Sequence, residues 1–294
     1  MENYPRISIV TPSFNDVEYL EQTILSIINQ GYPNLEYVII DGGSTDGSVD
    51  IIKKYADHLA YWVSEKDQGM YHAIQKGFQK TTGEIMGWIN SDDMHHPRSL
   101  FTLGQIFSDF GDINWLQGFP NTIDEQGRII YASSVYDVDK FFFYQKKHST
   151  TSRFIQQEST FWRRGLWEKA GSYISTEYRF AGDFELWIRY FQYEQLYNIY
   201  GLLGSFRLSS GGQASVDHYG KYLEETYKIL EKYPLSKKDR RRLKYRTLVQ
   251  NIENSIRSFH NKIQNRLKLN PRTVVNDKLY FDHITQRYKS YQDQ

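Results

Sequence analysis

The chain has 294 residues, 39% hydrophobic and 24% charged, with a formal net charge of +1. That is enough apolar material for one large domain or a domain with an appendage, and it argues against a partner such as nucleic acid held by overall charge. The absence of cysteine excludes disulfides and thiolate metal sites, and it is compatible with a cytoplasmic setting.

Met1 to Pro5 has no basic start followed by an apolar core, so no signal peptide is read there, and no apolar run reaches the length of a membrane span. Ile7-Ser8-Ile9-Val10 reads as a buried strand. The turn-rich Thr11-Pro12-Ser13-Phe14-Asn15-Asp16 after it could start a helix at Asn15 or Asp16. Leu20, Ile24, Ile27 and Ile28 recur at helical spacing, and Gly31 suits a C-terminal cap. Tyr37 to Ile40 is a second strand, tipped by Asp41-Gly42-Gly43-Ser44-Thr45-Asp46-Gly47 and followed by a helix through Val49, Ile51 and Ile52. A third strand, Ala60 to Val63, ends in Ser64-Glu65-Lys66-Asp67-Gln68-Gly69, and a helix from about Met70 to Lys80 leads to a fourth, Ile85 to Ile89. That strand ends abruptly in Asn90-Ser91-Asp92-Asp93. Pro97 fits the first turn of the next helix, with Leu100, Leu103, Ile106 and Phe107 on its buried face.

Strands and helices alternating over short links predict a mostly parallel sheet with helices on both faces. The tips carrying Pro12 to Asn15, Asp41, Asp67, and Asn90 to Asp93 then open on one edge, where open α/β sheets bind ligands. Asp92 and Asp93 can be read as caps of the following helix. They can also be read as a divalent-cation site, because adjacent carboxylates are costly without a cation or donors, and oxygen-rich clusters suit Mg²⁺ or Mn²⁺. Four polar tips on one edge favour a polar cleft over four independent caps. No G-x-G-x-x-G follows the first strand and no G-x-x-x-x-G-K-[ST] cradle occurs. Phe14 can stack on a base, Asp41 can accept hydrogen bonds from a base edge, and Asp92 can hold a metal on a diphosphate.

In the second half, Asn114 to Gly118 reads as a strand, and Asp124-Glu125-Gln126-Gly127 as a hairpin turn returning through Arg128 to Tyr131. The chain carries 24 Tyr and 17 Phe; such rings grip sugars or bases in some proteins, although core packing is the commoner use of any one. Leu186, Trp187 and Tyr190 look like one helix face with Asp183 at its N-cap, where the helix dipole would hold its pKa low. Gly204 to Ser215 reads as a strand followed by a flexible loop. After about Val216 the pattern reads as helices. Lys237 to Arg246 is strongly basic: a solvated face, or a patch drawn to anionic lipid headgroups.

Taken in order, Ile9-Val10-Thr11-Pro12-Ser13-Phe14-Asn15, Ile40-Asp41-Gly42-Gly43-Ser44-Thr45-Asp46-Gly47-Ser48, Asp67-Gln68-Gly69, and Asn90-Ser91-Asp92-Asp93 with Pro97 resemble family 2 glycosyltransferases of the GT-A fold, from about Arg6 to about Ser215. The resemblance implies a Rossmann-like α/β domain over residues 1–216, its nucleotide-sugar-binding half ending near residue 95 and its acceptor-binding half beginning near 96, with a helical C-terminal extension over 217–294. It implies inverting transfer of a sugar from a nucleotide diphosphate sugar, most readily a UDP-sugar, to a hydroxyl of a glycan or lipid-linked acceptor in surface polysaccharide assembly. A divalent metal, Mn²⁺ or Mg²⁺, would sit on the diphosphate. By the same resemblance Pro12, Phe14 and Asn15 contact base and ribose, Asp41 accepts from the base, and Asp67 contacts the nucleoside. Asn90-Ser91-Asp92 matches the D-x-D element with Asp92 as metal ligand, Gln156 to Arg164 borders the acceptor cleft, and Asp183 is the catalytic base. Lys76 could neutralise phosphate charge or simply be solvated. Departures are Asn90 for the usual first Asp, His72 where Asp is common, Gly182 before Asp183 where Glu or Ala is common, and no His near Ser209. The expected setting is cytoplasmic, with peripheral contact at the inner face of the cell membrane as the alternative that the basic Lys237 to Arg246 stretch leaves open. Rival readings are a sugar-phosphate nucleotidyltransferase, which expects glycines that Thr11 to Asp16 lacks, and a non-catalytic nucleotide-sugar binder.

Overall fold

A computed structural model describes residues 4–133, 138–151, 153–209, 218–267, 278–282 and 287–290. The first half is built from β1 (Ile7–Ser13), α1 (Leu20–Ile28), β2 (Leu35–Asp41), α2 (Ser48–Lys54), β3 (Tyr61–Ser64), α3 (Met70–Phe78), β4 (Ile85–Trp88), β5 (Met94–His95) and α4 (Ser99–Asp109). The strands β3-β2-β1-β4 pair in parallel. The apolar runs of β1, β2 and β4 are buried on both faces, as strands covered by crossover helices must be, while β3 at the edge is half-buried. Ile9 and Ile39 pack with Leu20, Ile24 and Leu103 on one side, while Val10, Val38 and Ile40 pack with Ile74 and Phe78 on the other.

The second half follows as β6 (Trp115–Gln117), β7 (Asn121–Ile123), β8 (Ile129–Ala132), α5 (Lys140–Tyr144), α6 (Lys147–Thr151), β9 (Thr160–Arg163), α7 (Arg164–Lys169), α8 (Gly182–Tyr190), β10 (Tyr197–Ile199) and β11 (Gly204–Arg207). Antiparallel β9 is inserted between β4 and β6, and β10 lies parallel beyond β6. A second sheet, β5-β11-β7-β8, lies beside the tip of β4. Its hairpin turns where expected, with Gly127 at φ +78° and the Asp124 carboxylate accepting from the Gln126 and Arg128 N–H groups. The C-terminal region is not helical throughout. After α9 (Tyr219–Lys232) and α10 (Lys237–Leu267) come β12 (Lys278–Asp282) and β13 (Arg287–Ser290), which extend the main sheet from β10.

Strand register decides where the tips go. Ser13 stands opposite Asp41, and Asp41 opposite Ser64. Trp88 stands opposite Val10, and the Ile89 N–H continues the ladder to the Val10 carbonyl at 2.9 Å. All four chains therefore leave the sheet along one rim. Behind that rim, Trp88 of β4, Trp187 of α8 and Trp115 of β6 stack, with successive ring planes 10° and 25° apart. This fixes α8 against the fourth strand, and core packing is where these large rings go.

Two local expectations fail. Pro97 lies ahead of α4, which begins at Ser99 after Arg98 in a left-handed turn at φ 65°. Neither Asp92 nor Asp93 caps that helix, because β5 intervenes and pairs with β11. Among the described residues no helix is long and apolar enough to cross a membrane.

Candidate active site

Three strand tips meet at Gly42. A Cβ built there would stand 2.9 Å from Asp67 Oδ2 and 3.1 Å from the Phe14 ring. Only glycine leaves this notch open, between an aromatic ring that is 63% exposed and a carboxylate. Asp67 Oδ1 accepts the Gly69 N–H at 2.7 Å. The other predicted nucleoside residues shape the notch from behind. Pro12 is buried in β1 opposite Ile40. Asn15, at φ +50°, clasps the first two tips: its Oδ1 accepts the Thr45 N–H at 2.9 Å, and its own N–H donates to Ser44 Oγ at 2.8 Å. Asp41 is buried, and its carboxylate accepts from the Gly43 and Ser44 N–H groups and from the Ser44 and Ser64 hydroxyls. A carboxylate has about four acceptor sites, so Asp41 is filled by its own loop. The carboxylate oxygen that faces the notch belongs to Asp67.

The fourth tip is braced from beneath. Thr23 Oγ1 of α1 lies 2.7 Å from both the Ser91 and Asp93 carbonyls. Fully buried Arg207 donates Nε to the Asp92 carbonyl at 2.5 Å and Nη1 to the Asp124 and Glu125 carbonyls at 3.0 and 2.7 Å. Its backbone N–H reaches Asp93 Oδ1 at 2.9 Å. Asp93 thus points inward, and burial, with the Asp92 and Glu158 charges adding, raises its pKa well above the usual range. Asp92 is half-buried at the rim. Asp16 of the first tip hydrogen-bonds Ser91 and is pushed up to about 6 by burial, with the charges of Asp92 and Asp46 adding. This contact joins the first tip to the fourth.

Asn90 donates Nδ2 to Asp93 Oδ2 at a long 3.4 Å, while its buried Oδ1 finds no donor among the described residues. No group of three or more His, Asp or Glu able to hold a metal by itself occurs among the described residues. One rim carboxylate, a nearby amide oxygen without a donor and half-buried Asp16 instead fit a hard cation of the kind that takes one or two carboxylates and completes its shell with phosphate oxygens and water.

Beyond this tip, Asn90, Glu158, Asp183 and Tyr71 line a cleft of about 660 Å³ with aromatic walls that include Phe154 and Tyr222. Asp183 sits inside the first turn of α8, and Ala181 is the N-cap. Its pKa is raised, not lowered: burial pushes it up to about 6 against the hydrogen bonds from Phe184 and Tyr71. The Tyr71 hydroxyl donates to Asp183 Oδ1 at 3.2 Å. Gly182 has a reason to be glycine, since a Cβ there would meet the Tyr71 ring at 2.8 Å. Glu158 is buried, and that burial, with the Asp92 and Asp183 charges adding, pushes its pKa up to about 8.

Lys76 is not brought to the cleft. It pairs with Glu65 and lines a separate hollow of about 550 Å³ with His72 and Tyr173. The expected loop from Ser210 to Ser215 lies outside the described residues. Asp16, Tyr71 and Glu158 were missed. Glu158 could have been found within the Gln156 to Arg164 segment, but nothing local marks Tyr71 among 24 tyrosines.

The family model described as Glycosyl transferase family 2 matches residues 8–170. A Mycobacterium tuberculosis relative named an uncharacterized glycosyltransferase is 28% identical over 191 residues, covering 64% of this chain and 70% of its own. Among solved structures, S. aureus TarS 1-349 in complex with UDP-GlcNAc superposes with a TM-score of 0.59 at 14% identity, over 81% of this chain and 70% of that one. This chain spans only 42% of the longer TarS structure. The mannosyltransferase PcManGT from Pyrobaculum calidifontis, in complex with GDP-Man and Mn²⁺, gives 0.56 at 17% identity, over 80% of this chain and 66% of that one. These likenesses show the shared GT-A fold.

Proposed function

The chain belongs to glycosyl transferase family 2, and from that premise we propose an inverting, metal-dependent hexosyltransferase that moves a sugar from a UDP-sugar to a hydroxyl of a glycan or lipid-linked acceptor in surface polysaccharide assembly. The observation that carries the reading is the shared cleft. Asn90 of the fourth tip and Asp183 of α8 line one hollow, and the Phe14–Gly42–Asp67 notch adjoins the same rim. Phe14 stacks on the base and Asp67 accepts from its edge, while Pro12, Asn15 and Asp41 hold the loops that shape the notch. Asp92, with Asn90 and Ser91 around it, would hold Mn²⁺ or Mg²⁺, which when bound neutralises charge on the departing diphosphate.

Asp183 is mostly ionised above about pH 6. It takes the proton from the acceptor hydroxyl as that oxygen bonds to the anomeric carbon and the carbon–oxygen bond to the diphosphate breaks on the opposite face. The hydroxyl becomes far more acidic along this path, so a carboxylate within hydrogen-bond reach suffices. An oxocarbenium-like transition state is expected. The cleft's aromatic walls suit the face of an acceptor sugar. UDP-GlcNAc in the TarS neighbour supports a uridine donor, and Mn²⁺ in PcManGT supports the cation.

On this reading residues 1–216 are the transferase domain, divided near residue 95, and 217–294 the extension. The enzyme works in the cytoplasm at the inner membrane face, through α10. Lys238, Arg241, Tyr245, Leu248 and Ile252 are spaced three and four apart and so share one helix face. On it Tyr245, Leu248 and Ile252 are 68%, 58% and 50% exposed. The opposite face is latched to α5 and α6 by Asp239–Lys140, Thr247–Gln145, Gln250–Lys147 and Arg246–Asp139. A basic helix with apolar residues turned outward suits an anionic lipid interface.

The test is a panel of UDP- and GDP-sugars with and without Mn²⁺, read by release of free nucleoside diphosphate. Turnover of a UDP-sugar is expected; binding across the panel without any turnover would favour the binding-protein reading.

A further inference from the structure

The peptide just ahead of Asp183 is gripped from the C-terminal extension. Glu225 of α9 presents Oε1 to the Arg179 N–H at 3.1 Å, and Oε2 to the Phe180 and Ala181 N–H groups at 2.8 and 2.9 Å. Three successive backbone donors converge on one carboxylate. Those donors precede α8 and need partners from outside the helix. The Phe180 peptide is held on its other side too. Its carbonyl lies 3.2 Å from the Tyr71 hydroxyl, which stands at the same distance from Asp183 Oδ1. Glu225, the Phe180 peptide, Tyr71 and Asp183 form one continuous chain of contacts.

Helix α9 is itself firmly seated. Ile229 and Leu230 belong to the core that contains Phe184, Thr226 Oγ1 lies 3.2 Å from buried His148 Nε2, and Lys232 pairs with Glu177 at 2.6 Å.

We infer that Glu225 is a positioning residue for Asp183, so that the extension completes the transferase site. The inference rests on the reading of Asp183 as the base. Through the loop, Glu225 sets the angle at which the Asp183 carboxylate meets the acceptor hydroxyl. The charged and titratable groups facing Asp183 are Tyr71 of α3, Glu158 of the turn before β9, and Tyr222 and Glu225 of α9. Among them the Glu225 charge raises the Asp183 pKa.

The experiment compares Glu225→Ala, Glu225→Gln and Asp183→Asn in the full chain, by donor KM, kcat and the pH profile of kcat. Glu225→Ala should lower kcat by about 10- to 100-fold, the range that small misplacements of a reacting group produce, with donor KM within about threefold because the nucleotide notch is elsewhere. Glu225→Gln loses the charge, and its single amide oxygen can still accept from the Phe180 and Ala181 N–H groups while its NH2 cannot accept from Arg179, so kcat should fall less than in Glu225→Ala and the acid limb of kcat should move to lower pH. An acid limb that does not move in Glu225→Gln overturns the inference, even where Glu225→Ala fails to fold. Loss of transfer in Asp183→Asn beside a wild-type Glu225→Gln profile sinks the positioning role alone. Retained transfer in Asp183→Asn sinks the base reading on which it rests.

Discussion

Asp183→Asn should separate stability from activity. Folding raises the Asp183 pKa from 3.8 to about 6 through burial, so the folded state prefers the protonated acid. Stability from this group is complete below pH 3.8 and is lost as pH rises through about 6. At pH 8 the ionised carboxylate costs about 3 kcal/mol, from roughly two pK units at about 1.4 kcal/mol each. Water in the open cleft screens part of this, so the figure is a ceiling. Asparagine has nearly the same shape and carries no charge, but it offers one acceptor oxygen where the carboxylate offers two to Tyr71 and the Phe184 N–H, which offsets the gain by about 1 kcal/mol. The variant should therefore melt higher than wild type at pH 8, by roughly 4–8 °C at most on the usual scaling for domains of this size. The gap should shrink to less than half at pH 5, where the wild-type carboxyl is mostly protonated. Scanning calorimetry at the two pH values gives the comparison, and a transfer assay on the same samples should show activity abolished. A variant less stable than wild type at pH 8, or a melting difference independent of pH, would refute the assigned burial of charge.

Gly42→Ala should fold normally but lower nucleotide affinity by about tenfold, roughly 1.4 kcal/mol, because its methyl enters the space between the Phe14 ring and Asp67; calorimetric titration with UDP measures it, and unchanged affinity would remove the nucleoside from that notch. Paired Leu248→Asp and Ile252→Asp should abolish co-sedimentation with vesicles containing phosphatidylserine while leaving kcat on a water-soluble acceptor unchanged. Binding retained by that variant, or equal wild-type binding to purely zwitterionic vesicles, would count against the outward face of α10 as a membrane surface.

The alternation of Ile7–Val10, Tyr37–Ile40 and Ile85–Ile89 with amphipathic helices is a local pattern, so the parallel sheet and its rim of polar tips are legible in the sequence. The roles of individual carboxylates are not. Which of Asp41 and Asp67 keeps a carboxylate oxygen turned to the notch depends on which of them its own loop consumes, and four donors from Gly43, Ser44 and Ser64 occupy Asp41 in three dimensions. For Asp183 the local rule, a helix start that lowers the pKa, was overridden by burial against parts of the chain distant in sequence. Lys76 looked available for phosphate because its partner Glu65 is eleven residues earlier, on the tip before α3, beyond the reach of helical spacing. β12 and β13 escaped because their residues carry no strong alternation and are held by pairing with the sheet edge.

The most direct test of the account is calorimetric titration of UDP in the presence and absence of Mn²⁺ into wild type, Asp92→Asn and Asp183→Asn. Asp92→Asn should lose on the order of tenfold in UDP affinity, about 1.4 kcal/mol, and only when Mn²⁺ is present, while Asp183→Asn binds UDP as wild type does. Equal loss in both variants, or no dependence on Mn²⁺ in any of the three, would contradict the division of roles between a metal-diphosphate tip at Asp92 and a proton-accepting cleft wall at Asp183.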